Sequence, residues 1–150
     1  MLAIVVVLVV ASLAAFALEN RGPPLENVQV ESIQPVNEVV QYSGVNMTIT
    51  MVIHNPNGVK GTVEHVSYTL SAGGATVGNG QAPSSYSLPP SSNYTVSFPV
   101  NSGWGAASST AESYFVAGGS MNWEINGTIA SSFSGHTFSL PFQYSGVFGF

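Results

Sequence analysis

Apolar residues alternate with polar ones in stretch after stretch of this chain. A period of two is what a strand with one buried face requires. Met47, Ile49, Met51 and Ile53 alternate with Asn46, Thr48 and Thr50. Val66, Tyr68 and Leu70 repeat the pattern, as do Tyr94, Val96, Phe98 and Val100. Met121, Trp123 and Ile125 continue it, followed by His136, Phe138, Leu140 and Phe142, and an earlier strand covers Val28, Val30 and Ile33. Turn signals separate these runs: Asn55-Pro56-Asn57-Gly58, Gly73-Gly74, Gly78-Asn79-Gly80, Pro89-Pro90 and Gly118-Gly119. Short strands at this spacing predict an antiparallel β-sandwich. Ala106 to Val116 is the exception, with Ala, Glu and aromatic content that permits a short helix or an irregular crossover.

The beginning of the chain follows another rule. Leu2 to Leu18 carry no charge and a single hydroxyl, that of Ser12. As a helix this run is about 26 Å long, near the lower limit for crossing a bilayer. Its packing residues would be Leu2, Ile4, Val5, Val6, Val7, Leu8, Val9, Val10, Leu13, Phe16 and Leu18. A secretory signal peptide would have a basic n-region, and none precedes this run. Glu19, Asn20 and Arg21 follow it, and Gly22-Pro23-Pro24 then stops any helix. The expected organisation is a hydrophobic α-helix at 1–20, a linker at 21–26 and an all-β head at 27–150. With no basic residue ahead of it, the run lacks the usual cytoplasmic orientation signal. A basic leader removed ahead of Met1, as in type IV pilin-like subunits, would explain that.

Charged residues make up 6% of the 150, far below the roughly 25% usual in soluble proteins. Arg21 and Lys60 are the only fixed cations, and the net charge is −5. Nucleic acid is therefore not an expected partner, since it demands clustered Lys and Arg. The chain has no Cys, so no disulfide holds the fold. Without Cys or Asp the nucleophile–His–Asp arrangements are unavailable, and no enzyme activity or cofactor is expected. His54, His65 and His136 could meet at a metal only by chance of folding, because no pair has a ligand spacing. No metal is expected. Trp104 and Trp123 read as core or crossover packing rather than a ligand platform.

Three N-glycosylation sequons, at Asn46, Asn93 and Asn126, make N-linked glycans a possible addition on an exported surface. The plainer reading is that these residues occupy solvated strand faces. The tail Tyr144-Ser145-Gly146-Val147-Phe148-Gly149-Phe150 holds three aromatics. Tyr144, Phe148 and Phe150 form either a subunit contact, by strand addition or aromatic insertion, or a last strand folded back on its own sandwich.

Taken in order, HNPNG (His54 to Gly58), VSYTL (Val66 to Leu70), VGNGQ (Val77 to Gln81), LPPSSNYTVSFPV (Leu88 to Val100), INGTI and FSLPF resemble the water-stress-and-hypersensitive-response (WHy) domain. That domain belongs to the folded late-embryogenesis-abundant proteins, and the resemblance spans about residues 26 to 143. It implies an immunoglobulin-like β-sandwich, a link to desiccation or stress protection, and no catalytic residues.

Two functions follow. In the first, the chain resembles an archaeal type IV pilin. It would be the structural subunit of an extracellular cell-surface filament, its helix forming the core of a helical homopolymer after leaving the membrane and its glycosylated sandwich the outer surface. The alternative is a single-pass membrane-anchored WHy-type protein that holds a stress- or desiccation-protective head outside the cell membrane. The uniformly apolar helix favours the first.

Overall fold

The computed structural model describes residues 24–82 and 85–150. They form eight strands, a 3-10 turn at Gly105–Ala107 and one α-helix: β1 Gln29–Gln41, β2 Gly44–His54, β3 Gly61–Ala72, β4 Ala75–Gln81, β5 Tyr86–Leu88, β6 Asn93–Gly103, α1 Ser108–Ala117, β7 Ser120–Phe133 and β8 His136–Gly149. One sheet has the order β1-β2-β6; the other runs β4-β3-β7-β8, with β5 also paired to β3. All pairings are antiparallel. The period-two stripes face each other across the gap. Ile49, Met51, Ile53, Val96 and Phe98 from one sheet meet Val63, Val66, Leu70, Ile125 and Ile129 from the other, all withdrawn from water. Burying that apolar area is what drives the two sheets together.

Glycines let the large rings of the second sheet lie flat. Gly127 is registered opposite Phe142, and Gly146 opposite Trp123. Gly61 pairs with Phe133, and Gly80 with Tyr68. A Cβ at Gly146 would come within 2.6 Å of the Trp123 Cε2, so the ring occupies the place a side chain would take. Each ring can then lie close to the sheet while still reaching the core.

Every proline inside a described strand lies on an edge strand: Pro35 on β1, Pro99 on β6 and Pro141 on β8. The paired central strands β2, β3 and β7 have none. A proline has no N–H to offer a new strand, and its ring obstructs the open side. Replacing Pro141 by Val is expected to increase concentration-dependent self-association over the parent, read by sedimentation velocity. Unchanged sedimentation would show that the edge is closed by other means.

The crossover from β6 to β7 contains the helix. Ser108 Oγ donates to Gly105 O at 2.7 Å at its start, and Ala111 is its one buried residue. It ends where Gly118, at φ 76°, donates its N–H to Tyr114 O.

The fold class expected from sequence, a hydrophobic N-terminal helix ahead of the sandwich, needs correction. Among the described residues the one α-helix is α1, and no helix is long and apolar enough to cross a membrane. The short helix belongs to the sandwich itself, closing one end of it. The expected helix at 1–20, with its packing residues from Leu2 to Leu18, lies outside the described residues.

Candidate functional site

The sandwich has two dissimilar ends. At one end the Asn-Pro-Asn-Gly turn joins β2 to β3, and there both asparagine side chains point inward rather than to solvent: Asn55 is 0% and Asn57 5% exposed. Asn55 Nδ2 donates to Val59 O at 3.0 Å, to Pro89 O at 3.0 Å and to Leu88 O at 3.4 Å. Its Oδ1 accepts the Asn57 N–H at 2.9 Å. The Asn57 carboxamide then acts as a spare peptide group. Its Oδ1 accepts the Glu26 N–H at 2.7 Å and its Nδ2 donates to Glu26 O at 2.9 Å. Asn27 Nδ2 reaches Ser139 O, and Leu25 packs on the core. Two amides thus fasten three remote pieces of backbone: the incoming chain, the turn, and the Leu88–Ser92 loop. Buried backbone groups with no partner in a sheet are satisfied this way.

At the other end the tail aromatics are used within the chain. Tyr144 is 5% and Phe148 0% exposed. Trp123 lies 5.3 Å from Phe148 and 5.4 Å from Tyr144 between ring centroids. Half-buried Phe150 meets Phe115 at 4.9 Å and Trp104 at 5.7 Å, and its N–H donates to Gly119 O. Tyr144 and Phe148 thus lie in a last strand that packs on its own sandwich, and Phe150, just past the end of β8, packs on Trp104 and Phe115. Trp104 and Trp123 are both core, with Trp104 Nε1 donating to Gln41 O at 2.9 Å.

Between the two ends, the outer faces are ladders of hydroxyls and amides, with the Glu124 carboxylate in one rung. On β3, β7 and β8 the rungs are Thr62-Ser132-Thr137, Thr69-Asn126-Gln143 and Ser71-Glu124-Ser145. On the smaller sheet Gln34-Thr50-Ser97 forms one, with Thr50 Oγ1 and Ser97 Oγ 3.1 Å apart. Asn46, Asn93 and Asn126 are all exposed on these surfaces. Asn93 Oδ1 lies 2.7 Å from His54 Nδ1, and Asn126 Nδ2 donates to the Glu124 carboxylate. His54, His65 and His136 do not converge, and among the described residues no group of three or more His, Cys, Asp or Glu could hold a metal.

Among the described residues three groups titrate away from their ordinary values. Partial desolvation raises the Glu38 carboxyl. Burial, and secondarily the Glu38 charge, raises the Tyr144 phenol, and burial raises Tyr68. The folded chain therefore holds both phenolic protons to higher pH than the unfolded chain does. Their contribution to stability is complete below the free tyrosine value of about 10 and is lost as pH rises through the folded values. Thermal melting temperature is expected to fall above that pH, with a shallower fall in Tyr144→Phe. Identical alkaline profiles would contradict this.

Sequence reasoning marked Asn55 and Asn57 as turn formers and missed their inward role. The available signal was two amides at positions where a turn needs only small or flexible residues.

A family signature described as late embryogenesis abundant protein matches residues 50–146, from β2 almost to the end of β8. No curated protein matches the chain. Among solved structures, a protein from Archaeoglobus fulgidus is similar at 17% identity and TM-score 0.63, covering 81% of this chain and 97% of that one. A protein from Arabidopsis thaliana is similar at 17% identity and TM-score 0.61, covering 90% and 88%. A putative late embryogenesis abundant protein is similar at 16% identity and TM-score 0.59, covering 83% and 70%. At such identities the likeness is one of fold. The WHy-type sandwich expected from sequence is what these comparisons find. The pilus-like filament subunit is not: the signature match overturns it, together with the pilus and filament readings attached to it, and the expected transmembrane helix has no counterpart among the described residues. The chain belongs to the late embryogenesis abundant protein family, LEA_2.

Proposed function

We propose that the chain is a stress- or desiccation-protective protein that acts through its surface and not through catalysis. The observation that carries this reading is the family match over 50–146, which coincides with the sandwich. The outer ladders supply a physical basis. As water is withdrawn, neighbouring macromolecules lose hydrogen-bond partners, and hydroxyl and amide side chains on a rigid sheet can replace them at little ordering cost. With few charges on those faces, the effect resists the rise in salt that accompanies drying, because screening has little to weaken. No nucleic acid, metal or cofactor is required.

The chain's expected place is the cell membrane with the sandwich outside, where exposed Asn46, Asn93 and Asn126 are candidates for N-linked glycans. Cells expressing the chain are expected to survive drying better than cells carrying an empty vector. The chain should appear in their membrane fraction, open to protease added outside. Equal survival would contradict the protective role, and a chain found only in the soluble fraction would contradict the attachment.

A further inference from the structure

We infer that Tyr86 and Tyr94 are an oxidative modification site, where a one-electron oxidant such as a haem peroxidase with hydrogen peroxide couples the two rings into a dityrosine. This modification is independent of the protective role proposed above. The two side chains come from opposite layers. Tyr86 is on β5, which pairs with β3 in the second sheet, and Tyr94 is on β6, at the edge of the first. Their ring centroids are 5.8 Å apart, with the planes inclined at 55°. That separation is one of rings in contact. Both side chains are half-buried, packed against the core yet reached by solvent. Tyr86 Oη donates to Ser97 O at 3.3 Å, which holds its ring across the gap to β6.

Phenol meeting phenol sets this place apart. The other four tyrosines lie against rings without a phenol: Tyr42 against Phe115, Tyr68 against Phe98, Tyr114 against Phe150 and Tyr144 against Trp123. The chain has no Cys, and Met47, Met51, Met121, Trp104 and Trp123 are buried. Among the described residues, the oxidisable groups that solvent reaches are therefore phenols. In the coupling, each phenol gives one electron to the oxidant and its hydroxyl proton to water, leaving two phenoxyl radicals. A carbon ortho to the oxygen on one ring then bonds to its counterpart on the other. The hydrogens displaced from those two carbons return to the phenol oxygens as the rings regain aromaticity. The protein loses two hydrogen atoms in all, and one hydrogen peroxide becomes two waters. Rings already held in contact couple within one copy faster than between copies. The closed loop contains Leu88 and Pro89, whose carbonyls accept from Asn55, so the new bond staples the segment that the buried amide fastens.

The full chain at low micromolar concentration is treated with a haem peroxidase and hydrogen peroxide. The expected product runs as a monomer, emits the blue fluorescence of dityrosine and is two hydrogens lighter. A protease that cuts after Glu releases residues 65–112 as one piece, and the mass loss should fall there, with Tyr86 joined to Tyr94 in its fragments. Tyr86→Phe and Tyr94→Phe should each lower the monomer's dityrosine emission at least about tenfold, because the remaining phenol has no partner in reach. Tyr68→Phe should leave it unchanged. The thermal midpoint of the cross-linked monomer should rise by about 5 °C or more. Emission that survives both substitutions at 86 and 94, a cross-link mapped to other tyrosines, or dityrosine confined to covalent dimers overturns the site. An unchanged midpoint overturns the staple.

Discussion

Asn55→Ala is expected to cost the sandwich on the order of 3–5 kcal/mol, a large part of the roughly 5–15 kcal/mol that holds a domain of this size together. The side chain is fully buried and donates to three carbonyls, those of Val59, Leu88 and Pro89, while accepting from the Asn57 N–H. Alanine removes all four bonds, leaving buried backbone groups without the solvent that would otherwise satisfy them. The loss also spreads. Without Asn55 the Asn57 amide is no longer positioned, so the incoming chain at Glu26 loses its clasp as well. Asn57→Ala alone breaks only the outer part of this arrangement and should cost less, about 1–2 kcal/mol. Urea unfolding followed by tryptophan fluorescence reads both, because Trp104 and Trp123 are core residues. A cost below 1 kcal/mol for Asn55→Ala would mean the turn is held by its backbone alone.

Gly127→Ala is expected to destabilise by about 3 kcal/mol or more, although it adds a single methyl group. A Cβ there would overlap both the edge of the Phe142 ring and the Ser67 carbonyl oxygen. The ring is 6% exposed and packed in the core, and the oxygen belongs to the neighbouring strand β3, so neither has room to give. Gly149→Ala is the control. No atom lies within 4 Å of a Cβ at that position, and its stability should stay within about 0.5 kcal/mol of the parent. Equal effects at the two glycines in the same urea titration would show that the strand spacing around Gly127 relaxes.

The strands were legible because burial on one face imposes its period directly on the residues. Met47 through Ile53 reads as it folds, and so do Tyr94 through Val100. The same rule extends further than the sequence reading took it. The stripe Leu140-Phe142 continues through Tyr144 to Phe148, and Gly146 keeps the inward register beneath Trp123. Followed to its end, that period puts Tyr144 and Phe148 inside the sandwich. Pro99 and Pro141 likewise stand in alternating runs, where a proline marks an edge strand. The helix was legible only as an irregularity, because Ala111 alone is buried and no apolar stripe marks it.

Other features depend on pairing between remote segments and leave no local trace. That Gly127 sits opposite Phe142, or that Asn57 meets Glu26 across 31 residues, follows from register and topology. The filament reading failed for a related reason. An apolar run at one end of a chain describes the medium around that run, and says nothing about what the folded remainder does.

Surface protection by a folded sandwich is tested most directly by drying a desiccation-sensitive enzyme with the chain and measuring the activity regained on rehydration. The comparison is with an equal mass of albumin and with Asn55→Ala under conditions where that variant is unfolded. Recovery clearly above both is expected. Recovery no better than with albumin, or equal recovery with the unfolded variant, would contradict a protective role for the sandwich surface.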